Sequence, residues 1–119
     1  MSRPRALLVE DDPDLREMLT WALMDAFEVD TVTTGEEAVD RLTQSAYDLV
    51  VADIRLPGID GLEVLEAARR RRLAVTGYSS EADLARAEAM GIEVLKKPFG
   101  IEEINDTIAR LMGDGRSSA

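Results

Sequence analysis

The sequence predicts a doubly wound α/β sandwich: one parallel sheet of five strands covered by five helices. Short apolar runs such as Leu7-Leu8-Val9 and Leu49-Val50-Val51-Ala52 have the length and composition of strands buried on both faces. Segments of helical spacing separate such runs all along the chain. A polar residue able to do chemistry stands just past four of the runs: Glu10-Asp11, Asp53, Thr76 and Lys97. In open α/β sheets, groups at strand carboxyl ends gather in one crevice.

The elements follow in order. The first strand covers Arg5 to Val9, and Asp12 with Pro13 provides an N-cap and a first helical residue. The first helix runs to about Ala26, with Leu15, Met18, Leu19, Ala22 and Ala26 on one face. A strand over Val29 to Val32 precedes Thr34 and Glu37, whose spacing is that of a capping box opening a helix to about Ser45. The third strand is Asp48 to Ala52. The loop Ile54-Arg55-Leu56-Pro57-Gly58-Ile59-Asp60-Gly61 leads to a third helix, Leu62 to Arg71. The fourth strand is Leu73 to Val75, and Ser80 caps a helix over Glu81 to Met90 that Gly91 stops. The fifth strand is Ile92 to Leu95, and the last helix is Ile101 to Met112. Residues 1–112 thus form one domain, with 113–119 a flexible tail or the start of a linker.

Composition excludes several functions. The chain has no cysteine and no histidine, so a metal site must use oxygen ligands, which favours a hard cation over zinc. A net charge of −10 repels nucleic acid unless one face is locally basic. No stretch has the length of a membrane span, and Glu10 interrupts the first apolar run too early for a signal peptide. The expectation is a cytoplasmic, soluble protein that binds neither nucleic acid nor membrane.

The turn after the first strand reads Glu10-Asp11-Asp12-Pro13-Asp14, with no glycine and dense negative charge. It repels a free phosphate and attracts a dication such as Mg²⁺, which takes one or two carboxylates plus waters and phosphate oxygens. Asp53 adds a third carboxylate if the first and third strands are neighbours. Carboxylates crowded without a cation push at least one pKa upward, and a bound Mg²⁺ removes that conflict. Aspartate can accept a phosphoryl group. Transfer then needs in-line positioning and neutralised equatorial oxygens, for which Mg²⁺, the Lys97 ammonium and the Thr76 hydroxyl are candidates.

Four stretches, Leu7-Leu8-Val9-Glu10-Asp11-Asp12, Asp53 to Gly61, Val75-Thr76-Gly77 and Lys97-Pro98-Phe99, together resemble the receiver domain of two-component response regulators. The resemblance covers nearly the whole chain. It implies a flavodoxin-like (CheY-like) sheet of order 2-1-3-4-5 and Asp53 as the phosphoacceptor. Glu10, Asp11, Asp53 and the backbone carbonyl of Arg55 would hold Mg²⁺, and Thr76 and Lys97 would bind the phosphoryl group. A cis bond before Pro98 is also implied. The implied partners are a histidine kinase or histidine phosphotransfer protein, and a downstream protein or output domain on the face of helix four, strand five and helix five. A phosphorylation-dependent homodimer is compatible with it. Such a domain catalyses only its own phosphorylation and dephosphorylation.

Other residues carry simpler readings. Asp12 is an N-cap, Asp60 shapes the loop before helix three, Lys96 is solvated while Lys97 is buried, and Arg69 to Arg72 form a solvated helix end. Trp21 and Met24 point away from the apolar face of the first helix, either half-buried against a neighbour or as a docking patch for a phosphotransfer helix. The family pattern is broken in three places. The connection from helix three to strand four is short, which predicts a truncated or tilted helix three. The segment Gly91 to Lys97 is about one residue short. Val94 and Leu95 stand where many receivers carry a switching aromatic, a role Tyr78 could only partly fill. Arg55 and Tyr78, both large, would hinder an attacking water and lengthen the phosphoryl lifetime. Two rival functions remain: a receiver-like interaction module that signals without phosphorylation, and a small phosphohydrolase. The latter needs a second acid two residues after the nucleophile, where Arg55 stands.

Overall fold

A computed structural model of the chain describes residues 3–77 and 80–113. The expectations for Tyr78 and for residues 114–119 lie outside the described residues. Five strands, β1 (Arg5–Val9), β2 (Glu28–Val32), β3 (Leu49–Asp53), β4 (Arg71–Thr76) and β5 (Glu93–Lys96), alternate with five helices. These are α1 (Pro13–Met24), α2 (Gly35–Gln44), α3 (Gly61–Ala67), α4 (Glu81–Ala89) and α5 (Ile101–Leu111). All strand pairs are parallel, in the order β2-β1-β3-β4-β5. The expected doubly wound architecture is therefore the observed one. Among the described residues, no helix is long and apolar enough to cross a membrane.

Because both faces of the sheet are covered, alternate strand residues feed two separate cores. Leu7, Val9, Val50, Ala52 and Ala74 pack with Ala38, Leu62, Leu65 and Ala87, from α2, α3 and α4. Ala6, Leu8, Leu49, Val51, Leu73, Val75 and Leu95 pack with Leu19, Leu23, Ile104 and Ile108, from α1 and α5. The helix starts are as the sequence indicates. Asp12 Oδ1 accepts from the Asp14 N–H, Thr34 Oγ1 from Glu37, and Ser80 Oγ from Asp83. Asp60 does more than shape a loop, since it forms a reciprocal capping box with Glu63 at the start of α3.

The expected boundary between helix three and strand four is wrong. Helix α3 stops at Ala67, not Arg71, and β4 begins at Arg71, two residues before Leu73. The Arg69–Arg72 run is not a solvated helix end. Arg71 and Arg72 lie in the strand, and their guanidiniums reach back to helix termini. Arg71 Nε donates to the Leu111 carbonyl of α5 at 2.9 Å. Arg72 donates to Leu65 O of α3 at 3.2 Å and to Met90 O at the end of α4 at 3.0 Å. Three helix ends thus receive the positive charge that their dipoles favour, from strand residues rather than from the helices themselves. Of the two geometries expected for helix three, truncation is the one adopted.

Candidate phosphoacceptor and metal site

Register builds the crevice. Val9 pairs with Ala52, so Glu10 and Asp53 emerge side by side from β1 and β3. Asp53 itself pairs with Val75, and Thr76 with Lys96, so β4 and then β5 each deliver their polar residue one position later than the strand before. All four lie at the carboxyl edge of the sheet. Glu10, Asp53 and Thr76 are buried, at 0%, 5% and 3% exposure. Asp11 is exposed.

Glu10, Asp11 and Asp53 can each bring a carboxylate oxygen within 4.8 Å of the other two. The condition left open by the sequence, adjacency of strands one and three, is met. Lys97 Nζ stands 3.2 Å from Asp53 Oδ2, while Asp53 Oδ1 accepts the Arg55 N–H at 2.9 Å. Lys97 is half-buried rather than fully buried, with Lys96 exposed as expected. Its side chain crosses the end of β4 over Gly77, where an added Cβ would come 3.1 Å from Lys97 Cδ. The Lys97 N–H donates to Thr76 O at 2.8 Å, which ties the β5 end to the β4 end. The Lys97–Pro98 bond is cis, as the resemblance implies.

Glu10 carries the electrostatic signature of the site. One oxygen, Oε2, accepts the Asp12 N–H, but Oε1 is buried with no hydrogen-bond partner among the described residues. Burial pushes its carboxyl from 4.5 up to about 8, and the nearby Asp53 charge adds to the rise, against the Asp12 N–H and Lys97, which lower it. An orphaned acceptor among crowded carboxylates, in a chain without cysteine or histidine, is the donor chemistry that a hard dication satisfies.

The loop after Asp53 is held by close approaches. Gly61 donates its N–H to Ile54 O at 3.0 Å, and a Cβ there would lie 2.0 Å from Asp53 O. Gly58 takes a φ of 75° directly after Pro57, and Glu36 Oε2 on α2 accepts the Ile59 N–H at 3.3 Å. The Arg86 guanidinium of α4 reaches Asp60 at 3.5 Å. Sequence reasoning placed Gly77 in a family stretch without giving it a role, and missed Glu36 and Arg86. A glycine directly after the Thr76 position was a usable signal; the other two depend on contacts distant in sequence.

Beside the crevice, a groove of about 310 Å³ is lined by Leu15, Met18, Pro98 and Phe99, together with Asp12, Asp14 and Lys97. Trp21 and Met24 stand further along α1, 67% and 50% exposed, which removes the half-buried reading of Trp21. In β5 Leu95 is buried and Val94 partly so, and none of the strand's four residues, Glu93 to Lys96, is aromatic.

Residues 6–109 match the response regulator receiver domain family. The chain is 38% identical to the transcriptional regulatory protein TcrA of Mycobacterium tuberculosis over 111 residues, covering 87% of this chain and 44% of that protein. It is 37% identical to the transcriptional regulatory protein TctD of Salmonella typhimurium, covering 91% and 51%. The chain therefore spans about half the length of the curated relatives it matches. A CheY-like receiver domain protein from Methanospirillum hungatei shares the fold with a TM-score of 0.88, at 24% identity and 99% and 100% coverage. The receiver domain of the sensor histidine kinase PA1611 from Pseudomonas aeruginosa, solved with magnesium coordinated in its active-site cleft, superposes with a TM-score of 0.81. It is 27% identical, covering 94% of this chain and 99% of that one. By sequence, fold and the order of its polar strand ends, the chain belongs to the receiver domain family of response regulators.

Proposed function

We propose that this domain is a switch set by Mg²⁺-dependent phosphorylation of Asp53, working in the cytoplasm. One observation carries the reading: Asp53 stands between a carboxylate pair, Glu10 and Asp11, and an ammonium 3.2 Å away. The chain has no histidine, so the donor is a phosphohistidine on a histidine kinase or phosphotransfer protein. The bond from histidine nitrogen to phosphorus breaks as the bond from Asp53 carboxylate oxygen to phosphorus forms. Glu10, Asp11, Asp53 and the Arg55 carbonyl would hold the metal, as the magnesium in the related PA1611 cleft supports. When bound, Mg²⁺ neutralises phosphoryl oxygens and keeps the crowded carboxylates ionised.

The protein's own groups do the rest. Lys97 offsets charge on a phosphoryl oxygen from the opposite side, and the Thr76 hydroxyl binds another. Turnover of an external substrate is not part of this reading. The groove of Leu15, Met18, Pro98 and Phe99, with Trp21 one turn further along α1, is the docking surface for the donor's helix. Movement of Thr76 toward the new anion would change the face of α4, β5 and α5 and so the affinity for an output domain or a second copy.

Mass spectrometry after treatment with acetyl phosphate and Mg²⁺ tests the reading. One phosphoryl group should appear on the wild type, and none on Asp53→Asn or in the presence of a chelator. An unlabelled wild type, or label that persists in Asp53→Asn, would overturn it.

A further inference from the structure

A cavity lies well away from the phosphoryl crevice. It has a volume of about 480 Å³ and opens between the carboxyl ends of α2 and α3, near the opposite edge of the sheet. Its origin is the truncated helix. Helices α2 and α3 both start at the crevice edge and run side by side, but α2 has ten residues and α3 seven. At 1.5 Å per residue, α2 extends about 15 Å and α3 only about 10 Å, so the last turn of α2 has no neighbour. The gap is floored and walled by Leu42, Tyr47, Val50 and Ala67, and rimmed by Arg69 and Arg70.

Two features make this more than an uncovered apolar face. The aromatic wall is fixed in place, since the Tyr47 hydroxyl donates to Asp30 Oδ2 at 2.6 Å and the Arg5 guanidinium lies 4.7 Å from the ring centre. The rim is basic in a chain of net charge −10. Arg70 is paired loosely with Asp48 at 3.6 Å, whereas Arg69 is exposed and has no ion-pair or hydrogen-bond partner among the described residues. The ends of α2, at Gln44 and Ser45, and of α3, at Ala67, both carry the negative pole of a helix and repel anions, so an anion can be held here only by a guanidinium on the rim. An anionic head therefore belongs on the Arg69 wall, with an apolar body directed toward Leu42, Tyr47 and Val50.

We propose that the cleft left by the short α3, apolar inside and bordered by Arg69, binds a small aromatic carboxylate. The volume lies within the range of small-molecule sites, about 300–1,000 Å³, and guanidinium–carboxylate pairing is the strong, directional contact the rim offers. The site is separate from Asp53 and does not depend on phosphorylation.

Titration of the ¹⁵N-labelled protein with 2-naphthoate, and in parallel with the neutral 2-naphthamide, tests this. Naphthoate should saturate at one per chain and shift the amides of Thr43, Tyr47 and Ala67, and the amide should bind at least about tenfold more weakly. Arg69→Ala should erase that difference, and Ala67→Trp, which fills the opening from an exposed position, should abolish binding of both. Labelling of Asp53 by acetyl phosphate should be unchanged in both variants, which reports an intact fold. The proposal is overturned by any of three results: no saturable shift at these amides, equal affinity for the two probes, or naphthoate binding that survives Ala67→Trp.

Discussion

The Lys97 ammonium reaches Asp53 by passing over Gly77, across the end of a strand that separates the two residues in the sheet. With an added Cβ only 3.1 Å from Lys97 Cδ, a branched side chain at position 77 would displace the ammonium while leaving both cores untouched. Gly77→Val should lower the rate of Asp53 phosphorylation by acetyl phosphate about 10- to 100-fold, and Lys97→Met should do so at least as much, by loss of a preorganised charge. Far-ultraviolet circular dichroism should be unchanged in both. A Gly77→Val protein that is phosphorylated at the wild-type rate would show that the lysine's path is not constrained there.

Glu10 makes stability depend on pH in a specific direction. In the fold its carboxyl titrates at about 8, against 4.5 in an ordinary setting. Between those values the folded chain keeps a proton that the unfolded chain has released. The stabilisation is therefore full below pH 4.5, is lost as pH rises toward 8, and does not change further once both states are ionised. Without metal, denaturant unfolding should show a loss on the order of a few kcal/mol across this window, and Glu10→Gln should flatten it. On the proposed reading, a Mg²⁺ ion held by Glu10 must displace its proton, so the affinity for the ion should fall as pH drops below 8, by up to about tenfold per unit. Calorimetry in buffers of different ionisation enthalpy would detect the released proton. Metal-free stability that is level over this range would remove the argument.

Arg72 holds the ends of two helices from one strand position, bonding Leu65 O and Met90 O. Arg72→Met keeps the apolar stem and removes both bonds. It should cost about 1–3 kcal/mol, seen as a fall in Tm of roughly 5–10 °C. Arg72→Lys should recover less than half of this, because a single ammonium cannot span two carbonyls as the planar guanidinium does. Full recovery by lysine would mean that charge alone, not the forked geometry, matters.

How far these features can be read from sequence depends on the range of the contacts behind them. The strands and the crevice were legible because each apolar run is local and each polar end residue follows its run directly, as Asp53 follows Leu49 to Ala52. The end of α3 was not. Arg70-Arg71-Arg72 look like a polar continuation of the helix, and only their partners distant in sequence, Asp48, Leu111 and Met90, give the arginines a reason to leave it. The order of β1 and β3, on which the three-carboxylate cluster depends, came from family resemblance rather than from any property of the residues. The passage of Lys97 over Gly77 likewise needs the sheet order before it can be inferred.

Trp21 offers the most direct test of the proposed docking surface for a phosphoryl donor. An aromatic side chain exposed to 67% on a helix that otherwise buries Leu19 and Leu23 has no role in either core. It follows Met18, a lining residue of the groove beside Lys97, by one turn of α1. Exposed aromatic residues next to apolar grooves are where interface energy concentrates, with truncations often costing about 1–2 kcal/mol or more. Trp21→Ala should therefore leave unfolding stability within about 0.5 kcal/mol of wild type, as expected for a surface site. The same change should weaken binding to a cognate histidine kinase or phosphotransfer protein by about 5- to 30-fold. Labelling by acetyl phosphate, which needs no docking, should be unaffected. If phosphotransfer from the protein donor is as fast and as tight in Trp21→Ala as in wild type, the donor does not use this part of α1.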